Sequence, residues 1–499
     1  MTDDPMTDGL DTLRLGARPE GPTALTAEWV LAWRNGGHSL LRGAEVVIDG
    51  SRIAKIAPAG RAEAARRIDF GHALISPGFI DLDALSDLDT TILGVDNHPA
   101  WAKGRVWPES YVQRGPYEMY SPEELAFQKR FAFAELLRNG ITTAAPIASL
   151  FYREWGETVA EFDAAAQAAS DLGLRVYLGP AYRSGGMVLT APGKMEPRFD
   201  EARGLAGLDA AIRFVRDHDM THDGLIRGLL APDRVETCTA ELLRRTAAAA
   251  DELDCPIRLH CAQGQMEVDT VRALHGTTAP RWLAELGVLS PRLLAPHATK
   301  ADAGDLALYA EHGVHIIHCP LVSARGGGTL DVRGARALGI NVAMGTDTAP
   351  PDMVLNLAVG QIVGRIVTGD PGALSAADMV DLATTGGARA LGRDDLGRIA
   401  PGACADIAVF DLDRGITPTI DPVQSLVLGA SGRVTRAVFV DGRLSMRDGA
   451  VAGLEDDART RAQTQFDGLV TRYPDRTWNH PNVAEIFPPS FPIKDLRDA

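Results

Sequence analysis

The chain is predicted to be an α/β protein, a (β/α)8 TIM barrel with a small composite β-sandwich, and three observations point there. Through the middle of the chain an Ala/Leu-rich amphipathic helix, a short apolar strand and a polar turn recur about every 30 residues, the size of a strand with its crossover helix. Both ends instead carry short runs of alternating apolar and polar residues split by turn signals such as "NGG" and "DGS". Several central strands also end in a residue able to bind metal, at the face where barrels of this type place their chemistry.

Composition sets the frame. With 499 residues, 45% hydrophobic and 23% charged, the chain can bury a large core. A net charge of -16 argues against nucleic acid or an anionic membrane as main partner, since both repel an acidic surface. A small-molecule substrate is the expected partner. The five cysteines form no CxxC pair, which suggests free thiols in a reducing compartment. The opening residues carry acids where a signal peptide carries bases, and no apolar run reaches membrane-spanning length, so a cytoplasmic location is expected.

Residues 1–26 are polar and rich in turn formers, and are expected to form a flexible arm. Residues 27–73 and 399–453 hold the alternating β-rich runs and are expected to build the sandwich together. The barrel is assigned to residues 74–398, and residues 454–499 to a C-terminal helix and tail. Its first helix, in "SPEELAFQKRFAFAELLRNG", opens with Ser121 and Glu124 spaced as a capping box. A doubly wound sheet is the competing architecture, but no GxGxxG turn follows an early strand.

Four strand ends carry the candidate chemistry: His260 in "CPIRLHCAQG", His297 in "LLAPHATKAD", His318 in "HIIHCPLVSA" and Asp347 in "NVAMGTDTAP". A single buried histidine is ordinarily a satisfied core residue. Four such residues on separate strands suit a divalent metal site with an open position for water. His312 and His315 are set aside, one at a helix end and the other on the opposite strand face from His318. His218 and His222 lie in a polar linker and read as a surface pair. The strand "LISPGFIDLDALSDLDT" adds Asp81 and Asp83 on its inward face, which by alternation they share with Phe79 and Leu85.

The ordered set "PGFID", "HCAQ", "APHA", "HCP" and "GTD", between β-rich ends, resembles the amidohydrolase superfamily in its chlorohydrolase, cytosine deaminase and guanine deaminase branch. The resemblance implies one divalent metal ion, Zn, Fe, Mn or Co, and hydrolytic displacement at a carbon bearing nitrogen or another leaving group. It also suggests a homodimer or larger assembly. Where the family has His-x-His on its first strand, this chain has Asp83 and Leu85, so a carboxylate replaces one imidazole and the other is lost. The implied ligands are Asp83, His260, His297 and Asp347, with Asp347 or His297 activating the water. At the position where family deaminases carry a proton-delivering glutamate stands Gln263, which can hydrogen-bond but cannot shuttle a proton. Glu267, a turn further on, is expected to face solvent.

For substrate contacts the candidates are His98 and Trp101 in the loop after the first strand, His318, and Arg325 in "LVSARGGG". The expected activity is metal-dependent hydrolysis of a C–N or related bond in a small amide, urea, carbamate or substituted heterocycle. Two alternatives stay open: a metal-free enzyme using its inward carboxylates, and a barrel that only binds a ligand. Metal content and chelator-sensitive turnover separate them.

Overall fold

The computed structural model describes residues 9–89, 91, 106–115, 117–147, 155–347, 349–414 and 417–494. Eight short strands run parallel through its centre: β1 (Phe79–Ala84), β2 (Ile141–Pro146), β3 (Arg175–Leu178), β4 (Ile226–Gly228), β5 (Ile257–Arg258), β6 (Leu293–Pro296), β7 (His315–His318) and β8 (Val342–Met344). They form two four-stranded sheets, β4-β3-β2-β1 and β5-β6-β7-β8. One junction between the sheets is a parallel bridge from Leu230 to Ile257. At the other, the Asp347 N–H donates to the Asp83 carbonyl over 2.8 Å. Strands covered on both faces must be apolar along their length, and β1 is buried at every position. Its two aspartates are therefore costly residues that need partners.

Helices follow the strands in the expected alternation. The capping box at Ser121 forms, with the Glu124 N–H donating to Ser121 Oγ over 3.2 Å and the Ser121 N–H to Glu124 Oε2 over 2.8 Å. The helix Ala303–His312 opens on a second such box, Asp302 with Asp305, and closes on left-handed Gly313. An antiparallel hairpin, Gly185–Ala191 with Lys194–Phe199, interrupts the repeat after β3. The alternating helix and strand pattern gave no sign of it.

The chain ends build two further sheets. One has the order Arg52–Pro58, Ala44–Asp49, Thr23–Thr26, Arg66–Asp69. The other has seven strands, drawing Trp29–Arg34, Gly37–Arg42 and Ala73–Pro77 from the N-terminal part and Ile407–Asp411, Thr435–Val440, Arg443–Arg447 and Ala450–Val451 from the C-terminal part. Leu25, Val46, Ile75, Ile407 and Phe439 share one core between them. The flexible arm expected through residue 26 is not what forms from residue 9 onward. Leu10 and Leu13 are buried, Arg447 donates to both their carbonyls, and Thr23–Thr26 pairs on both edges. The reason is backbone pairing: Thr23–Thr26 fills the gap between Ala44–Asp49 and Arg66–Asp69, which would otherwise leave their facing N–H and C=O groups unpaired. At the other end, Gln465 in the helix Ala458–Arg472 donates to the Glu124 carbonyl over 3.2 Å, seating that helix on Pro122–Arg138. No helix among the described residues is long and apolar enough to cross a membrane.

The end sheets meet the parallel strands at buried Arg175, which pairs with Asp406 and Asp441. Arg175 on β3 donates to both carboxylate oxygens of Asp406, at 3.0 and 3.2 Å, and both side chains are 3% exposed. Asp406 also accepts the Asp441 N–H at 2.7 Å, while its carbonyl accepts the Gly78 N–H at 3.0 Å. Removing one member of such a pair strands the other charge in the core. Asp406→Ala is therefore expected to lower unfolding stability by about 3–5 kcal/mol, read from denaturant unfolding curves, with Asp406→Asn costing less because it keeps a hydrogen-bond acceptor.

Candidate metal centre

The strand ends bring the predicted histidines and aspartates together. Among the described residues, Asp83, His260 and His297 form a group whose ligand atoms all lie within 4.8 Å of one another. His260 Nε2 is 3.6 Å from Asp83 Oδ1, and His297 Nε2 is 3.8 Å from Asp83 Oδ2. Asp347 reaches this group through His297, with Oδ2 at 3.5 Å from Nε2. The two imidazole rings stack at 5.4 Å between centroids. His318 is buried close by, near enough that protonating it would disfavour a charge on His297.

Backbone geometry aims these groups. Ala262, His297, Ala298 and Asp347 all adopt positive φ, between 44° and 77°, just past the ends of β5, β6 and β8. Alanine rarely accepts that conformation, so strain is concentrated where the strands turn out into the site. His260 Nδ1 donates to the Asp233 carbonyl at 2.9 Å, which leaves the Nε2 lone pair on the side of Asp83. Gly345 permits a close approach of β8: a Cβ there would lie 2.6 Å from Asp83 Cβ. Asp81 shares the inward face, but its carboxylate is fully engaged. It accepts from the Thr346 N–H (3.0 Å), the Thr346 hydroxyl (2.6 Å) and the Asp83 N–H (3.2 Å).

Electrostatics favour ligation. Burial holds His260 well below the ordinary imidazole range, with Arg234 adding to the effect, and takes His297 down to about 3 and His318 to about 4. All three rings are neutral at pH 7 and carry a free lone pair. Burial pushes the Asp83 carboxyl up to about 6 against the pull of Arg258, and pushes Asp347 well above the usual carboxylate range with the Asp83 charge adding to it. A cation among these groups reverses that direction for both acids. The fit to a divalent ion rests on unmet ligand atoms: both ring nitrogens of His297 and Oδ1 of Asp83 are buried with no hydrogen-bond partner among the described residues. Such atoms cost free energy unless a ligand meets them. Two imidazoles and a carboxylate are a set that suits Zn, Fe, Mn or Co.

Other expected residues fall differently. His98 and Trp101 lie outside the described residues. Arg325 is exposed at the end of the helix Pro320–Arg325. Leu85 is buried in the core and ligates nothing. Glu267 does not face solvent: it is buried and accepts the Ala262 and Gln263 N–H groups at 2.5 and 2.7 Å. Burial, with the charge of Glu236, takes it up to about 8. Two residues not singled out in the sequence also belong here. Arg258 is buried two positions before His260, so alternation alone puts it on the same face. It donates to the Pro146 carbonyl at 2.6 Å, and its charge acts on Asp83 and Asp347. Arg234 pairs through its backbone with His260 and donates to Glu236 at 2.8 Å and to Gln263 Oε1.

Comparison with known proteins agrees with this geometry. The model of the amidohydrolase family matches residues 74–445. A 5'-deoxyadenosine deaminase of Methanothermobacter thermautotrophicus is 31% identical over 83% of this chain and 92% of its own length. A 5-methylthioadenosine/S-adenosylhomocysteine deaminase of Pelotomaculum thermopropionicum is 27% identical over 91% of this chain and 98% of its own length. Among solved structures, an adenosine deaminase from Xanthomonas campestris with bound zinc superposes with a TM-score of 0.74 at 23% identity, covering 89% of this chain and 98% of that one. The zinc complex of an atrazine chlorohydrolase from Arthrobacter aurescens gives 0.71 at 22% identity, covering 89% and 99%. That family's fold is a (β/α)8 barrel, consistent with the eight parallel strands and their helices. The chain belongs to the amidohydrolase family and is an amidohydrolase-type enzyme.

Proposed function

We propose that this chain is a metal-dependent hydrolase that breaks a C–N bond in a small amide, urea, carbamate or substituted heterocycle by attack of an activated water. The observation that carries the reading is the convergence of Asp83, His260 and His297, with buried ligand atoms that nothing among the described residues satisfies. In this reading the two four-stranded sheets close as one barrel, and the end sheets pack as its composite sandwich.

Asp83, His260 and His297 would hold one divalent ion, of which Zn, Fe, Mn and Co all accept this mixed nitrogen and oxygen set. When bound, such an ion supplies Lewis-acid polarisation and makes a water acidic enough to ionise near neutral pH. The protein's own groups do the rest. Asp347, whose Oδ2 lies 3.5 Å from His297 Nε2, takes the proton of the attacking water and returns it to the leaving nitrogen. The Asp233 carbonyl keeps His260 in the tautomer that offers Nε2. Cys319 donates its S–H to Asp83 Oδ2 at 3.4 Å and steadies that carboxylate.

A second reading, deamination of an adenine nucleoside, is favoured by the curated relatives, among them a 5'-deoxyadenosine deaminase at 31% identity. All five cysteines are free and buried, which supports a cytoplasmic enzyme. The helix Met353–Thr368 exposes Leu355, Ile362 and Ile366, an apolar stripe at helical spacing that supports a second copy of the chain as partner.

Protein purified without added metal is expected to carry about one divalent ion per chain by elemental analysis, and a chelator should remove ion and turnover together. His260→Ala should lose the ion. Turnover that persists in metal-free protein would refute the reading. Asp347→Asn is expected to keep the ion while kcat falls about 100-fold or more, measured by steady-state kinetics. For the assembly, Ile362→Glu combined with Ile366→Glu should shift the sedimenting mass to that of one chain, and an unchanged mass removes this stripe from the interface.

A further inference from the structure

We propose that Gln263 is a specificity residue that donates from Nε2 to an acceptor atom of the substrate, and that the substrate therefore presents a carbonyl oxygen at that point. The inference rests on the hydrolase reading above and narrows its substrate class to amides, ureas and carbamates.

The orientation of an amide is ordinarily ambiguous between oxygen and nitrogen, but here its partner decides it. Arg234 Nη2 meets Gln263 at Oε1. A guanidinium has donors only, so the atom facing it must be the oxygen. The NH2 group is thereby turned away from Arg234, and it makes no hydrogen bond among the described residues. Arg234 is fixed in turn: its Nε donates to Glu236 at 2.8 Å, and its backbone pairs with that of His260. The backbone bridges Arg234–His260 and Cys261–His297 run on either side of this segment, which puts the guanidinium, and the amide it holds, beside the donor group.

The backbone under Gln263 is held from both sides. Glu267 accepts the N–H groups of residues 262 and 263. The Thr299 hydroxyl donates to the Gln263 carbonyl at 2.5 Å, and the Lys300 N–H to the Ala262 carbonyl at 2.8 Å. Ala262 sits at a φ of 53° to allow this. A residue held at this many points is preorganised, so its N–H groups act as fixed features that a ligand must match.

What they match follows from the chemistry. When an amino group leaves a ring amidine, the adjoining ring nitrogen begins as an acceptor and ends as an N–H, so Nε2 would face another donor. When an amide, urea or carbamate is hydrolysed, the water oxygen bonds to the carbonyl carbon and the C–N bond breaks. One water proton goes to the departing nitrogen and the other stays with the new acid group. The carbonyl oxygen is an acceptor throughout. A fixed donor serves this second course from start to end, and Glu267, with both oxygens on the backbone, is not placed to supply the proton that the first requires.

The test uses metal-loaded full-length protein with hydantoin, dihydrouracil and phenylurea as carbonyl probes and 5'-deoxyadenosine as the amino-heterocycle probe. Turnover of at least one carbonyl probe and none of 5'-deoxyadenosine is expected. For that carbonyl probe, Gln263→Met should raise KM about tenfold, the worth of one hydrogen bond, with kcat and metal content kept. Gln263→Leu, of similar size and with no N–H, reads the same loss should the methionine variant fail to fold. Arg234→Met, which frees the amide to turn, should raise KM at least as far as Gln263→Met does. Faster turnover of 5'-deoxyadenosine than of every carbonyl probe overturns the inference while leaving the hydrolase reading intact. An unchanged KM in both Gln263 variants overturns it as well. No turnover of any probe by metal-loaded protein sinks both.

Discussion

The carboxylate of Asp81 joins the first parallel strand to the last, and the candidate site is built on that junction. A carboxylate buried in a strand that is covered on both faces is tolerated only when its oxygens are met by donors. Here the donors are the backbone and hydroxyl of Thr346 beyond β8 and the N–H of Asp83 on β1. Because one of them belongs to Asp83 itself, satisfying Asp81 also fixes where Asp83 stands. Because the others belong to Thr346, it fixes Asp347 next door. Burial still raises the Asp81 carboxyl to about 7, against the pull of the Thr346 hydrogen bonds, so the desolvation cost is only partly offset. The side chain works as a staple, and this leaves the metal-free reading, which uses the inward carboxylates, without a free oxygen on Asp81.

Around this junction the protein balances acids with buried guanidinium groups. Asp81, Asp83 and Asp347 crowd one end of the strands, and the charges of Arg234 and Arg258 pull both Asp83 and Asp347 towards ionisation. The same arginines hold the neighbouring imidazoles neutral: Arg234 acts on His260 and His297, and Arg258 on His260. One set of charges thus prepares both kinds of ligand, ionised oxygen and unprotonated nitrogen. The loss of a first-strand His-x-His pair is met by a carboxylate in place of one imidazole, with no donor in place of the other, since Leu85 is packed in the core.

Much of this was legible in the sequence, because strand and helix periodicities expose which residues share a face. The order of His260, His297, His318 and Asp347 at successive strand ends marked the site. Ser121 with Glu124 marked a helix start, and the β-rich ends marked the two outer sheets. What stayed hidden has a common cause. Glu267 looked like a surface residue because a charged helix position usually is one, and only the tertiary structure shows two backbone N–H groups pointing at it. Arg258 was readable by alternation with His260, but a strand arginine gives no hint that it is buried. The segment from Leu10 to Thr26 is polar enough to pass for a loose arm, and its order comes from edges supplied by residues far away in the chain. His98 and Trp101 lie outside the described residues.

The ion pair between Arg175 and Asp406 has a consequence for the ribosome. The partners are 231 residues apart, so the guanidinium on β3 emerges long before the carboxylate that neutralises it. Until residue 406 has been made, the third strand can be buried only with an unpaired charge, which the interior does not accept. A nascent chain therefore cannot complete its inner sheets in the order in which it is synthesised. Final consolidation waits for the C-terminal strands, and until then the apolar edges of the early strands are exposed to chaperones and proteases.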